Sequence, residues 1–285
     1  ARLAADRTPA LIAAHTQQTP SRRNAMIRGN ESRDNGSRGP LSDRVAVVTG
    51  SSRGIGRAIA LRLAADGARV VVNYNSDLDA ARQVVTTIEA AGGKATAVQA
   101  DVSDPEQLRA VFDATVQHYG GLDVFVHNAP GFAGGPLAAA SDEEYERTFD
   151  VNSRATFMAL RESAQRVRDG GRIVFISSSV TRASIPGLGL YSASKAAGEQ
   201  LVRTFAREIA ARGVTVNSVL PGVTDTDGYR SKPAAPAEAD EAVARTPMGR
   251  IGQPEDIADV VGFLASDGGR WVTGNSIAVD GGLTA

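Results

Sequence analysis

The stretch that decides the fold runs over residues 45–56 and reads Val45-Ala-Val-Val-Thr49-Gly50-Ser51-Ser52-Arg53-Gly54-Ile55-Gly56. Its short apolar run is typical of a strand buried on both faces. The glycines permit a tight turn and a close approach of a pyrophosphate, and the free N–H groups of the following helix favour an anion. The spacing is neither G-x-G-x-x-G nor a Walker A loop. The alternative is a glycine-rich turn that only packs a helix on a strand.

Strand-type and helix-type segments alternate from Arg44 to the C-terminus. Strands are predicted at 45–49, 69–74, 94–99, 122–127, 172–177, 214–220 and 275–279. Helices are predicted at 57–66, 78–91, 105–119, 141–168 and 191–212, with two shorter ones around Glu238 and Pro254. This alternation predicts an α/β fold: a single doubly wound, Rossmann-type domain over 44–285, with a seven-stranded parallel sheet and helices on both faces.

Residues 1–43 differ in composition from the rest, because they are rich in Arg, Asn, Ser, Thr and Pro and show little apolar periodicity. Such a segment cannot bury enough apolar surface to offset its ordering entropy, so we expect a largely disordered N-terminal extension. Its acidic residues and the lack of a sustained amphipathic run argue against a transit peptide. A tail or an extension from an upstream start is favoured, with Met26 as a candidate start.

Composition excludes several classes of protein. Of the 285 residues, 42% are apolar and 22% are charged, and the net charge of −1 gives no reason to expect a nucleic-acid or anionic-membrane partner. Cysteine is absent and the three histidines are scattered, so neither a disulfide framework nor a metal site is expected. No apolar run reaches the length of a membrane span. We expect a soluble, cytoplasmic protein with a small-molecule substrate.

Tyr191 and Lys195 lie four residues apart on a predicted helix, which places both side chains on one face. A neighbouring ammonium favours the phenolate, so Lys195 is expected to lower the pKa of Tyr191. The pair is a candidate proton donor and acceptor for a carbonyl/alcohol couple. The same spacing on a solvated helix face is commonly inert, so the pair alone does not decide the function.

The choice of dinucleotide can be argued from charge. The second predicted strand ends Val72-Asn73-Tyr74-Asn75-Ser76, with no acid before Asp77. An NAD site places a carboxylate there for the ribose 2′-hydroxyl, whereas an NADP site has a neutral residue and a nearby cation. Asn73 and Arg53 would tolerate a 2′-phosphate that a carboxylate would repel. The residues favour NADP(H); the alternative is that Arg53 faces solvent and Asp77 serves NAD(H).

Further motifs follow the glycine loop in a fixed order. They are Asp101-Val102, His127-Asn128-Ala129, Tyr191-x-x-x-Lys195, Pro221-Gly222-x-x-x-Thr226, Pro247-Met-Gly-Arg-Ile-Gly-Gln-Pro-Glu-Asp256 and Val272-Thr-Gly-Asn-x-x-x-Val-Asp-Gly-Gly282. Together they resemble the short-chain dehydrogenase/reductase family over about residues 43–285. The similarity is greatest to its 3-oxoacyl-carrier-protein reductase and glucose/carbonyl reductase branch.

The resemblance implies a catalytic set of Asn152, Ser178, Tyr191 and Lys195. Tyr191 would protonate the nascent alkoxide as hydride arrives from the nicotinamide, and Lys195 would depress the Tyr191 pKa and bond the nicotinamide ribose. Within the run Ser177-Ser178-Ser179, the family spacing to the tyrosine selects Ser178 to orient and polarise the carbonyl oxygen. Asn152 would anchor a water that relays protons to Lys195.

The resemblance and the loop together give a set of predicted cofactor-binding residues. It comprises Gly50, Ser52, Arg53, Gly54, Ile55, Gly56, Asn73, Tyr74, Ser76, Asp101, Val102, Asn128, Ala129, Tyr191, Lys195, Pro221, Gly222, Val223 and Thr226. Simpler interpretations remain: a serine run can be loop polarity, Asn152 can bond a neighbouring backbone, and Asp101 can cap a helix. His127 is assigned a structural role.

Two segments depart from the family pattern or vary with substrate. Pro130 stands where the family often has glycine, so it removes a backbone donor near the nicotinamide ribose. Residues 224–246 are rich in Pro and Ala and occupy the position of a substrate lid. Phe132, Leu188 and Tyr229 are candidate pocket walls, and each could equally be packing.

The expected function is NADP(H)-dependent reduction of a ketone or aldehyde to an alcohol. A 3-oxoacyl thioester is the leading substrate, and a sugar or other small carbonyl is the second. The alternatives are a catalytically silent dinucleotide-sensing protein on the same fold, an NAD-dependent alcohol or sugar dehydrogenase, and a scaffold whose N-terminal tail recruits partners. The resemblance also suggests a homotetramer built on the helices at 141–168 and 191–212.

Overall fold

The strand Val45–Val48 (β1) is buried on both faces, as its four consecutive apolar residues predict. The computed structural model describes residues 39–128, 131–132, 134–231 and 235–285. Its other strands are β2 (Arg69–Tyr74), β3 (Lys94–Gln99), β4 (Leu122–His127), β5 (Val167–Ile176), β6 (Thr215–Pro221) and β7 (Ser276–Val279). Within the described residues all neighbours pair in parallel, in the order β3-β2-β1-β4-β5-β6-β7. The predicted seven-stranded parallel sheet is confirmed.

Helices cover both faces of this sheet. They are α1 (Gly54–Ala65), α2 (Leu78–Ala90), α3 (Pro105–Tyr119), α4 (Asp142–Phe149), α5 (Ala155–Arg166), α6 (Gly189–Ile209), α7 (Asp227–Arg230), α8 (Ala235–Arg245) and α9 (Pro254–Ala265). Side chains alternate across each strand, so Val48 joins a core with α1, α2 and α9, and Val47 joins another with α3, α5 and α6. The doubly wound architecture predicted from the sequence is therefore correct.

The order of the strands reverses direction at β1, which has β2 on one side and β4 on the other. In open α/β sheets, ligands bind at such a switch point, beyond the carboxyl ends of the strands. The segments that leave those ends are the glycine loop after β1, Asn128 after β4 and the Ser177–Ser179 run after β5. The topology therefore gathers the predicted site residues at one edge of the sheet.

The start of the folded unit differs from the prediction. Residues 39–43 were expected to belong to the disordered extension, but Leu41 is 1% exposed and packs in the core beside α1. Its N–H donates to the carbonyl of Asp66 at 2.8 Å. A single apolar residue among polar neighbours gives no periodic signal, so the sequence pattern could not reveal this contact. The rest of the predicted extension lies outside the described residues.

The predicted helix over 141–168 is also different in the structure. Its predicted N-terminus is correct, because Ser141 and Glu144 form a capping box. The helix is then interrupted by a π-helical turn, Asp150–Arg154, and α5 ends at Arg166 because the chain turns directly into β5. A π-helical turn inserts an extra residue into a helix and is frequent at functional sites. Here it carries the buried Asn152.

Candidate active site

The glycine loop forms a cradle for an anion. Gly50 and Gly54 have φ values of 59° and 55°, a region that only glycine adopts without strain. The first turn of α1 has no side-chain cap and no acidic residue, so its N–H groups point toward the loop without a competing carboxylate. A Cβ at Gly56 would lie 2.5 Å from Nδ2 of Asn128, and closer still to the Gly50 carbonyl oxygen. These features fit a dinucleotide pyrophosphate.

Asn73 supports the loop from β2. The Gly50 N–H donates to Asn73 Oδ1 at 3.1 Å, and Asn73 Nδ2 donates to the carbonyls of Val98 and Ala100 at 3.2 and 3.1 Å. The side chain is 1% exposed. The Asn73 amide therefore joins β2, β3 and the loop, and its predicted place near the ribose phosphate stays a prediction.

Asn128 supports the loop from β4. Its Nδ2 donates to the carbonyls of Thr49 and Gly50 at 3.0 and 3.1 Å, and its backbone N–H donates to Thr49 Oγ1 at 2.9 Å. The two asparagines thus hold the glycine loop from both neighbouring strands. The predicted residues Ala129 and Pro130, which come next, lie outside the described residues.

Residues at and beyond the end of β2 were predicted to contact the adenosine part of the cofactor. Arg53 and Ser76 are exposed, whereas Tyr74 is buried in the core. Asp77, the alternative partner for NAD, caps α2 by accepting from the Ala80 N–H at 2.9 Å. Its carboxylate is engaged in that cap, and Arg53 is an exposed cation beside the loop. The charges at this end fit a ribose 2′-phosphate better than a 2′-hydroxyl.

Asp101 and Val102 follow β3. Asp101 Oδ1 accepts from the N–H and the hydroxyl of Ser103, at 2.9 and 2.7 Å, while the N-cap of α3 is Asp104. The alternative role of Asp101 as the helix cap is therefore incorrect. Val102 is buried in the core on the α3 face.

The glycine loop is one wall of the predicted cofactor site, called the trough below, and the segment after β6 is the other. Pro221 ends the strand and is buried, and Gly222 and Val223 are partly exposed. Thr226 caps α7 by accepting from the Tyr229 N–H at 3.1 Å. A Cβ at Gly54 would lie 3.4 Å from Thr226 Cγ2, so this wall meets the glycine loop directly. Ser52 and Ile55 of the loop are partly exposed along the same trough.

Tyr191 and Ser178 come together beyond the end of β5. Burial raises the pKa of Tyr191 above its ordinary value, and a side-chain hydrogen bond with Ser178 acts in the opposite direction. Ser178 is partly exposed, whereas Ser177 and Ser179 are buried. Of the three hydroxyls in the run, the one paired with the phenol is therefore the one selected by the family spacing.

Lys195 is buried one helical turn after Tyr191. Its Nζ donates to the carbonyl of Ile176 at 3.1 Å, and lies 5.1 Å from the ring centre of Phe175 and 6.0 Å from that of Tyr191. Burial lowers its pKa to about 8, and the Glu199 carboxylate acts to raise it. The net lowering of the Tyr191 pKa that was expected is not found, because burial outweighs the opposing effect of Ser178.

Asn152 is held in the π-helical turn by three hydrogen bonds. Its Nδ2 donates to the Gly131 carbonyl at 2.7 Å and to Ser194 Oγ at 3.0 Å, and its Oδ1 accepts from the Gly131 N–H at 3.1 Å. Thr156 Oγ1 donates to its backbone carbonyl at 2.5 Å. The side chain therefore joins the loop after β4 to α6, on the helix that carries Tyr191 and Lys195.

His127 is a buried, uncharged side chain at the end of β4. Burial, followed by the charge of Lys195, lowers its pKa to about 3. Its ring stacks between those of Phe125 and Phe175, and Nδ1 lies 3.4 Å from Thr49 Oγ1. These contacts agree with a structural role.

An apolar wall lies beside Tyr191. The ring of Phe132 is 60% exposed, and its centre lies 5.3 Å from that of Tyr191 at an interplanar angle of 53°. A small cavity of about 120 Å³ lies nearby, between the turn at 134–136 and the segment at 187–190. Leu190 lines that cavity, whereas the predicted wall residue Leu188 is at the N-cap of α6.

Glu199 is a residue of this region that the sequence reasoning missed. It lies four residues after Lys195 on α6 and is 5% exposed. The i, i+4 spacing places a carboxylate on the same helix face as the lysine, which was a usable signal. Its burial could not be foreseen, because it depends on partners from distant strands.

Comparisons with known proteins identify relatives of this chain. The sequence model of the family described as enoyl-(acyl carrier protein) reductase matches residues 50–284. A probable tetrahydroxynaphthalene reductase of Zymoseptoria tritici is 43% identical over 252 residues, covering 85% of this chain and 94% of the relative. A chloroplastic NADPH-dependent aldehyde reductase-like protein of Arabidopsis thaliana is 41% identical over 257 residues, covering 85% and 95%.

A solved structure has the same fold as this chain. The short-chain dehydrogenase of Burkholderia cenocepacia in complex with NADP aligns with a TM-score of 0.82 and 41% identity, covering 86% of this chain and all of that chain.

No helix in the described part of this chain is long and apolar enough to cross a membrane.

Proposed function

This chain belongs to the short-chain dehydrogenase/reductase family of oxidoreductases, and on that premise we propose that it reduces a ketone or aldehyde to an alcohol with NADP(H). The observation that carries the proposal is the placement of the Ser178 hydroxyl beside the Tyr191 phenol, with the buried Lys195 one helical turn away. When bound, NADPH supplies the hydride. The uncapped N-terminus of α1 and the cradle at Gly50 and Gly54 would hold its pyrophosphate.

Each catalytic side chain has one proposed task. Ser178 donates its hydroxyl hydrogen to the substrate carbonyl oxygen and so polarises it. Tyr191 delivers a proton to the same oxygen as the carbinol carbon forms. Burial raises the pKa of Tyr191, so the phenol keeps the proton that it would give to the developing alkoxide.

Lys195 and Asn152 support the proton donor. With a pKa of about 8, Lys195 is an ammonium at neutral pH and becomes neutral as the pH rises through that value. A charged ammonium stabilises the phenolate left after proton transfer. Asn152 fixes the π-helical turn against Gly131 and Ser194, and it would anchor the water through which Lys195 exchanges protons with solvent.

NADP(H) is the proposed cofactor because of the charges near β2. Arg53 is exposed at the loop, and Asp77 is engaged with the Ala80 N–H. The Burkholderia cenocepacia relative is in complex with NADP, and the Arabidopsis thaliana relative is named as NADPH-dependent. An NAD(H) enzyme would be expected to present a free carboxylate at this position.

Two substrate classes fit the site. A 3-oxoacyl thioester agrees with the family branch that the sequence resembles, and an aromatic or ring-fused ketone is the second candidate. The exposed ring of Phe132 beside Tyr191 favours the second, because aromatic side chains pack well against planar apolar groups. The Zymoseptoria tritici relative is named a probable tetrahydroxynaphthalene reductase, which agrees with that choice.

The proposal is tested by measuring the loss of NADPH absorbance with 3-oxoacyl thioesters, aromatic ketones, sugars, simple aldehydes and an enoyl thioester. We expect turnover with a carbonyl, and a lower Kd for NADPH than for NADH. Tight NADPH binding without turnover of any carbonyl would instead identify a dinucleotide sensor. Turnover of the enoyl thioester alone would reassign the reaction to a carbon–carbon double bond.

We also propose a cytoplasmic homotetramer. Two large aromatic side chains, Tyr145 on α4 and Phe157 on α5, are about half exposed on neighbouring helices. Such side chains are typical of subunit interfaces. Light scattering after gel filtration is expected to give four copies of the chain, and a monomer would contradict this assignment.

A further inference from the structure

Glu199 presents a carboxylate inside the protein. Ser177 Oγ donates to its Oε1 at 2.7 Å, and Ser276 Oγ donates to its Oε2 at 2.8 Å. Both partners act as donors, so each oxygen of the carboxylate accepts a hydrogen bond. Removing such a charge from water is unfavourable unless another charge or hydrogen bonds compensate. The serines supply the hydrogen bonds, and Lys195, four residues earlier on the same helix, is the buried candidate for the compensating charge.

Of the groups that face Lys195, Glu199 is the one with a carboxylate. On α6 these groups are the phenol of Tyr191 and the carboxylate of Glu199. From β4, His127 faces it as a neutral imidazole. From β5, Phe175 and the Ile176 carbonyl contact it, and neither titrates.

The other charged groups near this network are exposed to solvent. In the π-helical turn that packs against α6, Asp150 and Arg154 are about half exposed and pair with each other at 3.6 Å. On the Glu199 side, the exposed guanidinium of Arg182 donates to the backbone carbonyl of Ser276 at 2.5 Å. Within the described residues, Glu199 and Lys195 are therefore the two buried charges of one helix face.

We propose that Glu199 is a positioning residue of the reductase site: its carboxylate keeps the Lys195 ammonium charged and fixes the end of β5 through Ser177. The inference rests on the proposed function. Ser177 directly precedes Ser178, and its N–H donates to the Val219 carbonyl at 2.8 Å. The Glu199 carboxylate therefore ties α6 to β5 and β7 beside the hydroxyl that pairs with Tyr191.

The charge has a defined effect on the pH dependence. Burial lowers the pKa of Lys195 to about 8, and Glu199 opposes that shift. Without the carboxylate, Lys195 would lose its proton at a lower pH. Activity that depends on the ammonium is present below the pKa of Lys195 and is lost as the pH rises through it. Removal of the Glu199 charge should therefore move the alkaline limit of activity toward neutral pH.

The test compares Glu199→Gln with Glu208→Gln, which removes an exposed carboxylate from the same helix. The rates kcat and kcat/KM are measured with NADPH and the best carbonyl from about pH 6 to about pH 10. We expect the alkaline limit of Glu199→Gln to fall by about one pH unit or more, with a rate near that of the parent at about pH 6. The control should keep the parent's limit.

Equal alkaline limits in Glu199→Gln and Glu208→Gln would overturn the assignment. Ser177→Ala retains the charge, so it should keep the parent's limit and lower kcat by up to about tenfold; an unchanged kcat would contradict the role of Ser177. If Glu199→Gln fails to bind NADPH, Glu199→Asp replaces it as the test variant. The proposal requires that Glu199→Asp keep the parent's alkaline limit of activity and have a reduced kcat. An alkaline limit about one pH unit below that of the parent would refute the proposal. A parent that reduces no carbonyl would refute the proposed function and this inference together.

Discussion

The cofactor end and the substrate end of the trough are built from different kinds of side chain. At the cofactor end, buried polar side chains hold the backbone: Asn73 and Asn128 together bond the glycine loop from both neighbouring strands. At the substrate end the exposed groups are apolar, with Phe132 beside Tyr191 and Leu137 also largely exposed. Hydrogen bonds fix positions, whereas an exposed apolar wall offers area without fixed direction. Under the proposed function, the cofactor end would therefore set the geometry, and the substrate end would set the choice of carbonyl.

Tyr191 lies where the two ends meet, and its hydroxyl should matter to turnover but not to cofactor binding. Tyr191→Phe is expected to lower kcat by roughly 10²–10⁴-fold, the range of a lost general acid. The Kd for NADPH, measured by fluorescence titration, should change little. Tyr145→Phe removes a hydroxyl from an exposed ring on α4 and is the matched control. Parent-like turnover in Tyr191→Phe would remove the phenol from the mechanism.

Asn73 tests whether the cofactor end depends on its buried amides. Asn73→Leu leaves backbone partners unsatisfied, so the free energy of unfolding should fall by about 1–3 kcal/mol, and the Kd for NADPH should rise by roughly 10–100-fold. Asn217→Leu is the control, because Asn217 is an equally buried amide that bonds Val272 and Asn275, which precede β7. It should destabilise the protein, measured by thermal denaturation, without weakening NADPH binding. An equal effect of both variants on the Kd would contradict the specific role of Asn73.

Arg53 tests the proposed preference at the adenosine end. Arg53→Ala should weaken NADPH binding by about tenfold, the worth of a charge-assisted hydrogen bond, and leave NADH binding unchanged. Arg57→Ala removes an exposed cation one turn later on α1 and should alter neither Kd. Equal loss for both cofactors in Arg53→Ala would mean that Arg53 does not recognise the 2′-phosphate.

Phe132 tests the substrate end and has the smallest expected effect. Phe132→Ala should raise KM for an aromatic ketone by about 2–10-fold, the worth of one aromatic contact, with little change for a linear 3-oxoacyl thioester. Phe263→Ala, at a half-exposed aromatic residue on α9, is the control. If KM rises equally for both substrate classes, Phe132 is packing rather than a selective wall.

The sequence was sufficient where local periodicity decides the structure. The apolar run at Val45–Val48, the glycines that follow and the spacing of Tyr191 and Lys195 predicted the parallel sheet, the loop and the shared helix face. These features depend on residues a few positions apart, so a single chain segment contains the whole signal.

The features that were missed depend on partners far along the chain. Asn73 is bonded to Gly50 and Ala100, and Glu199 is bonded to Ser177 and Ser276. The burial of Leu41, the π-helical turn at Asn152 and the raised pKa of Tyr191 have the same origin, because each arises from tertiary packing. Composition and residue spacing carry no information about such contacts. The sequence therefore identified the residue types but not several of their roles.

The most direct test of the account follows the hydride itself. NADPH that carries deuterium at the transferable position of the nicotinamide is incubated with the protein and its best carbonyl, and the alcohol is analysed by mass spectrometry. The account predicts that the parent forms alcohol with one deuterium on the carbinol carbon. Tyr191→Phe should form almost no alcohol, although both proteins bind NADPH. An unlabelled alcohol, or no alcohol from any carbonyl despite tight NADPH binding, would contradict it.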